Sequence, residues 1–306
     1  TTKALVPVLT TDSDTMTSLL KMEDTDSTVT VSTADFTAKF NKKTGHLSGY
    51  SLNNEQIIKA PLTMNFWRAQ TDNDRIGWRT HETLAFWKTA AEKLSLTSFS
   101  VKQLNAQKIK ITTIFTIDNQ LKVMNQYQIN SQGEITVLTQ VDADKTLPPM
   151  PRIGMTMGVS SLLTDVQYYG RGPYENYVDR NKSAEIDIYK ADTSELPFSY
   201  MVPQENGNRT DIDWWKITQP TTQYGVMIDG DENLSMSMWP WSQSDLDKAK
   251  HPYDLTAQGF NTLNIDHRQM GVGGTDSWTT LAAPIKVHQI PAGLYTYQFT
   301  IVPVTP

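Results

Sequence analysis

Ile109-Lys110-Ile111-Thr112-Thr113-Ile114-Phe115, Leu121-Lys122-Val123-Met124-Asn125-Gln126-Tyr127 and Ile135-Thr136-Val137-Leu138 are three runs in which apolar and polar side chains largely alternate. That period of two is the signature of a strand with one buried face. The intervening Asp118-Asn119 and Ser131-Gln132-Gly133 carry turn chemistry, so residues 107–143 read as an antiparallel meander. The same pattern occurs upstream. Phe36-Thr37-Ala38-Lys39-Phe40 alternates, Asn41-Lys42-Lys43-Thr44-Gly45 turns, and Leu47-Ser48-Gly49-Tyr50-Ser51-Leu52 pairs back as a hairpin.

Further strands are expected at Arg152–Val159, Val166–Tyr169, Tyr224–Ile228, Leu234–Trp239 and Leu294–Val302. One stretch reads as a helix: His81 to Leu94 has apolar residues at helical spacing, with Thr80 placed to cap it. Many strands and one short helix predict an all-β protein built as a large antiparallel sandwich. Residues 1–27 read differently: Thr10-Thr11-Asp12-Ser13-Asp14 and Glu23-Asp24-Thr25-Asp26-Ser27 are polar, as in a linker or lead-in. The expected domain is therefore 28–306.

Composition excludes several functions. The 306 residues contain no cysteine, so disulfides, thiolate zinc sites and cysteine nucleophiles are ruled out. A net charge of -6 argues against a nucleic-acid partner. No apolar run approaches the roughly 18 residues of a membrane span, and no secretory leader pattern opens the chain. Eight Trp, 12 Tyr and 9 Phe among neutral polar residues suit either sugar-facing surfaces or strand-rich cores.

Four segments concentrate chemistry. In Phe66-Trp67-Arg68-Ala69-Gln70-Thr71-Asp72-Asn73-Asp74-Arg75, Asp72 and Asp74 could begin a calcium loop, but the further oxygen ligands and distal Glu are missing. Turn-fixing and pairing with Arg are the alternative. Gly170-Arg171-Gly172-Pro173-Tyr174-Glu175-Asn176-Tyr177-Val178-Asp179-Arg180 and Pro203-Gln204-Glu205-Asn206-Gly207-Asn208-Arg209 each offer a Glu-Asn pair. Glu175 and Glu205 are either the two carboxylates of a glycosidase or loop-fixing partners of Arg171, Arg180 or Arg209; their separation would decide. Gly271-Val272-Gly273-Gly274-Thr275-Asp276-Ser277-Trp278 lacks the Lys-Ser/Thr of a phosphate loop. Trp278 either presents an indole to a sugar's C–H face or packs in a core. His46, His81, His251, His267 and His288 show no metal-ligand spacing.

Taken together and in this order, the four segments resemble the C-terminal domain of the lacZ-type β-galactosidases of glycoside hydrolase family 2, found also as a separate small subunit. The resemblance spans nearly everything from Thr28 onwards. It implies a galactose mutarotase-like super-sandwich, with residues 1–27 as the tail of a preceding β-sandwich domain or the linker from it. It implies hydrolysis of terminal non-reducing β-D-galactose from lactose-type substrates, with the catalytic glutamates on a TIM barrel outside this chain, hence no catalytic residue here. That barrel, in the same longer chain or a large subunit, is the implied partner, and the cytoplasm the implied compartment.

The resemblance further implies that Trp278 forms one wall of the galactoside site, with Gly273, Gly274 and Asp276 holding its loop. Gly77, Arg79 and His81 are weaker candidates on a bordering loop. Asp72, Asn73, Asp74, Arg75, Glu175, Asn176, Arg180, Glu205, Asn206 and Arg209 become structural. Magnesium and sodium are implied for the complete enzyme, with no metal or cofactor in this chain. Gln70 and Ile76 depart from the family's usual residues. Two other readings stand beside this one: a non-catalytic carbohydrate-binding module of the same fold, and an aldose epimerase, which would need a His and a Glu acting together on a sugar ring.

Overall fold

The computed structural model describes residues 19–306. Among them run sixteen strands, every pairing antiparallel. The first half holds β1 (Lys21–Asp24), β2 (Thr28–Ser32), β3 (Phe36–Asn41), β4 (Leu47–Leu52), β5 (Glu55–Asn65), β6 (Ser95–Asn105), β7 (Lys108–Ile117), β8 (Leu121–Asn130) and β9 (Ile135–Ala143). The second holds β10 (Arg152–Ser160), β11 (Asp165–Gly172), β12 (Glu185–Asp192), β13 (Arg209–Thr218), β14 (Gly225–Trp239), β15 (Phe260–Gln269) and β16 (Leu294–Val304). Their order is β1-β2-β3-β4-β5-β10-β15-β14-β16-β9-β8-β7-β6, with β13 on β14 carrying β11 and then β12 as a branch.

The sheet folds over on itself into a sandwich, the galactose mutarotase-like architecture. Phe40 of β3 meets Tyr127 of β8 edge-on at 5.1 Å between ring centroids, though these strands stand far apart in the sheet order. Tyr50 Oη of β4 donates to the Gly133 carbonyl at 2.8 Å across the same core. β14 makes the turn between the two halves: Gly225–Gly230 pairs with β16, whereas Ser235–Trp239 pairs with β15. The meander β7–β8–β9 alternates as its sequence predicts, burying Ile109, Ile111, Val123, Tyr127, Ile129, Ile135 and Val137. Asp118 and Gly133 take positive φ at the two turns.

Three local expectations change. The helix is broken into α1 (Thr80–Thr83) and α2 (Ala85–Lys93), because Leu84 leaves helical geometry at φ -119°. Arg79, in a left-handed conformation at φ 56°, stands in the cap position, and Thr80 is the first helical residue, buried rather than capping. A further helix, α3 (Gln243–Lys248), is capped by Ser242 accepting from the Asp245 amide at 3.0 Å. Of the lead-in segment 1–27, residues 1–18 lie outside the described residues. Lys21–Asp24 form an exposed edge strand on β2, and Leu20 is buried. No helix among the described residues is long and apolar enough to cross a membrane.

Candidate functional site

The four chemistry-rich segments, separated by up to about 200 residues, line one cleft of about 550 Å³. Thr71, Asp72 and Asn73 come from the first, with Ile76 directly after it, Tyr177 and Arg180 from the second, Gln204 and Glu205 from the third, and Val272, Ser277 and Trp278 from the fourth. Tyr200 completes the wall. Trp278 stands at the rim, 73% exposed.

Its loop is held from several sides. Asp276 accepts from the Trp278 amide at 3.2 Å, the Thr279 amide at 2.9 Å and Thr279 Oγ1 at 2.6 Å, and the Thr279 bonds draw its carboxyl below the usual range. Asn73 Nδ2 donates to the carbonyls of Asp276 and Ala282. Asp179 Oδ2 accepts from the amides of Val272 and Gly273 at 2.9 and 2.8 Å. Gly274 is a close approach: a Cβ there would stand 2.3 Å from the Leu281 carbonyl oxygen. Arg68 grips Asp74 through Nε and Nη2, both at 2.9 Å, and donates to the Met270 and Gly271 carbonyls at 2.9 Å. Burial opposes the Arg68 charge, but Asp74, together with Glu205 and Tyr177, more than offsets it.

The two glutamates are both committed. Glu175 accepts from Arg180 Nη2 at 2.6 Å, from the Gly207 amide at 2.7 Å and from the Tyr200 hydroxyl. Glu205 has a fully buried side chain and pairs with Arg152 at 3.1 Å. Arg152 also holds Asp266 at 2.9 Å. Burial raises both carboxyls, Asp266 to about 8, because one guanidinium cannot neutralise two buried acids. Tyr177, wholly buried between Glu205 and Glu175, has its phenol pushed well up, first by burial.

The remaining residues of these segments bind backbone. Asn176 donates to the Arg171 and Tyr174 carbonyls and accepts from Thr210. Asn206 Oδ1 accepts from the Phe198 amide at 3.0 Å, and its carbonyl accepts from Trp239 Nε1 at 2.9 Å. Arg209 donates to the carbonyls of Leu196, Gly207 and Pro173. Asp72 pairs with Arg75 at 3.2 Å. With Asp74 held by Arg68, the two aspartates do not offer a cation site. Among the described residues no group of three or more His, Asp or Glu side chains could hold a metal.

Gly77, Arg79 and His81 do not line the cleft. Gly77 is wedged under the Trp278 loop, where a Cβ would stand 2.3 Å from the Ala282 Cβ. Arg79 pairs with Glu82, and His81 sits beside Gln70 at 3.3 Å. It is Ile76, the first residue of that bordering loop and noted in the sequence as a departure, that reaches the cleft. Sequence reasoning missed Asp179 as the anchor of the glycine loop, Tyr200, and the Arg152–Asp266 pair behind Glu205. Asp179 lay within a quoted segment, yet nothing in its neighbours signals a partner 93 residues away.

The family described as β-galactosidase small chain matches residues 32–301. A β-galactosidase of Priestia megaterium is 32% identical over 266 residues, which cover 87% of this chain and 25% of that protein. One of Vibrio cholerae is 34% identical over 275 residues, covering 86% and 26%. The chain thus spans about a quarter of the length of these relatives. A solved structure from Escherichia coli K12, provisionally assigned as an aldose 1-epimerase, superposes with a TM-score of 0.50 at 10% identity, covering 94% of this chain and 100% of that one. At that identity the likeness speaks for the fold alone.

Proposed function

The chain belongs to the β-galactosidase small-chain family, and on that premise we propose that it completes the galactoside pocket of a β-galactosidase whose catalytic barrel it does not contain. The observation that carries the reading is the convergence of all four segments on one cleft with Trp278 exposed at its rim. An indole held there gives the C–H face of a galactose ring an apolar, electron-rich platform. Asn73, Asp179, Asp276 and Gly274 then act as positioning residues for the loop, fixing the indole before substrate arrives.

Retaining glycoside hydrolysis needs one carboxylate to attack the anomeric carbon and another to protonate the leaving oxygen. Glu175 is saturated by three donors, and Glu205 is buried against Arg152. Both are structural in this account, and the acid/base and nucleophile come from the barrel, in the same longer chain or in a large subunit. Magnesium and sodium would likewise belong to that part of the enzyme. The substrate would be a terminal non-reducing β-D-galactoside of the lactose type. The test is to assay nitrophenyl galactoside hydrolysis by this chain alone and mixed with a barrel-containing part. No turnover alone and turnover on mixing are expected; turnover by the chain alone would overturn the reading.

A further inference from the structure

Arg180 lines the Trp278 cleft with part of its guanidinium unused. Its side chain is 52% exposed, yet it is held on three sides. Nη2 donates to Glu175 at 2.6 Å and to the Tyr200 hydroxyl at 3.4 Å, and the guanidinium lies over the Tyr177 ring, 5.3 Å from its centroid. The backbone beneath is fixed as well. Tyr177 and Arg180 exchange amide–carbonyl bonds across a tight turn, and Asp179 in that turn accepts from the Val272 and Gly273 amides. The residue before Arg180 thus anchors the loop that carries Trp278.

Ordering an arginine side chain costs rotamer entropy, which a plain surface ion pair barely offsets. Here the ordering is complete before any ligand arrives. Among the described residues, every side-chain hydrogen bond of Arg180 leaves from Nη2, so Nε and Nη1 keep their donors free. Glu175 balances the charge, and Asp72 lines the same cleft. An anion would meet both carboxylates, so the free edge suits a neutral acceptor such as a hydroxyl. The indole of Trp278 is taken by the galactose ring in the function proposed above. Arg180, with Gln204 and Ser277, gives the cleft a polar side that this ring does not account for. Drug-sized ligands fill clefts of about 300–1,000 Å³, and at about 550 Å³ this one suits a substrate of two rings.

We propose that Arg180 sets specificity for the leaving group: its free Nε–Nη1 edge donates to hydroxyls of a sugar aglycone, favouring lactose-type substrates over galactosides with an apolar aglycone. The proposal rests on the reading of Trp278 as a wall of the galactoside pocket and extends it by one ring. The test compares kcat/KM for lactose with kcat/KM for phenyl β-D-galactoside, whose aglycone has no hydrogen-bonding group. The complete enzyme is measured as wild type, Arg180→Met, Arg180→Lys and Trp278→Ala. Met keeps the length and loses every donor; Lys keeps the charge beside Glu175 and loses the free edge. Glu175 retains the Gly207 amide and the Tyr200 hydroxyl in both, and melting curves verify folding. The lactose-to-phenyl ratio should fall about tenfold or more in Arg180→Met and about threefold or more in Arg180→Lys. A ratio equal to wild type in both, whether the two activities hold or fall together, would overturn the proposal and leave Arg180 a purely structural residue. If that occurs while Trp278→Ala raises KM for both substrates, the pocket reading survives alone. An unchanged KM in Trp278→Ala would remove the pocket reading and this proposal with it.

Discussion

Asn73 Nδ2 donates to the Asp276 carbonyl oxygen at 3.1 Å, joining residues 203 positions apart and fixing the base of the Trp278 loop. The same nitrogen reaches the Ala282 carbonyl at 3.2 Å, so one amide spans both ends of the loop. Asn73→Ala removes both bonds while leaving the indole in place. In the complete enzyme KM for a nitrophenyl galactoside should rise roughly threefold to tenfold with kcat less affected. Steady-state kinetics check it; an unchanged KM would mean that the loop is held without Asn73.

Gly274→Ala tests the same loop sterically. The added methyl would meet backbone, the Leu281 oxygen at 2.3 Å and the Ala282 carbonyl carbon at 2.4 Å, neither of which can swing away as a side-chain tip could. The loop must shift, so KM should rise while the melting temperature moves little, the site being at the surface. A wild-type KM would show that the loop absorbs the methyl.

Arg152 holds two of the molecule's buried acids, Glu205 and Asp266. Arg152→Met leaves Glu205 and Asp266 buried with no cation between them. Loss of one partner from a buried ion pair costs about 3–5 kcal/mol, which urea denaturation of the 306-residue chain would read directly. A loss below about 1 kcal/mol would contradict the assignment of this cluster as structural.

Asp266 sets a pH dependence of known sign. Its folded carboxyl is raised from 3.8 to about 8, so its contribution to stability is present at low pH and is lost as pH rises through about 8. In that window the folded state binds the extra proton, and stability declines with rising pH. Asp266→Asn stays neutral throughout and should flatten this decline. Melting curves from about pH 5 to 8 would show it; parallel profiles for the two proteins would argue against a protonated Asp266.

Much of the fold was legible because its strands bury one face. The β3–β4 hairpin and the β7–β9 meander follow from alternation and turn residues alone. β13 and β15 were missed for a physical reason: β15 buries Asn261, Thr262, Asn264, Asp266, His267 and Gln269, so polar residues stand where the pattern leads one to look for apolar ones. β1 and β12 escaped because they are edge strands with little or no buried face. The segments of the candidate site were readable, but not their partners. Arg152 meets Glu205 across 53 residues, and Asp179 meets Val272 across 93, contacts that only the closed sandwich creates. Gly77 illustrates the limit: its residue type marks a close approach, but not that the neighbour is the Trp278 loop instead of a ligand.

Trp278 carries the central claim, and replacing it in the complete enzyme tests that claim most directly. KM and kcat for a small nitrophenyl galactoside would be measured for wild type, Trp278→Phe and Trp278→Ala. The account predicts a KM that rises modestly for Phe, which keeps a ring, and about tenfold or more for Ala, with hydrolysis still detectable because the nucleophile lies elsewhere. A wild-type KM in Trp278→Ala would contradict it.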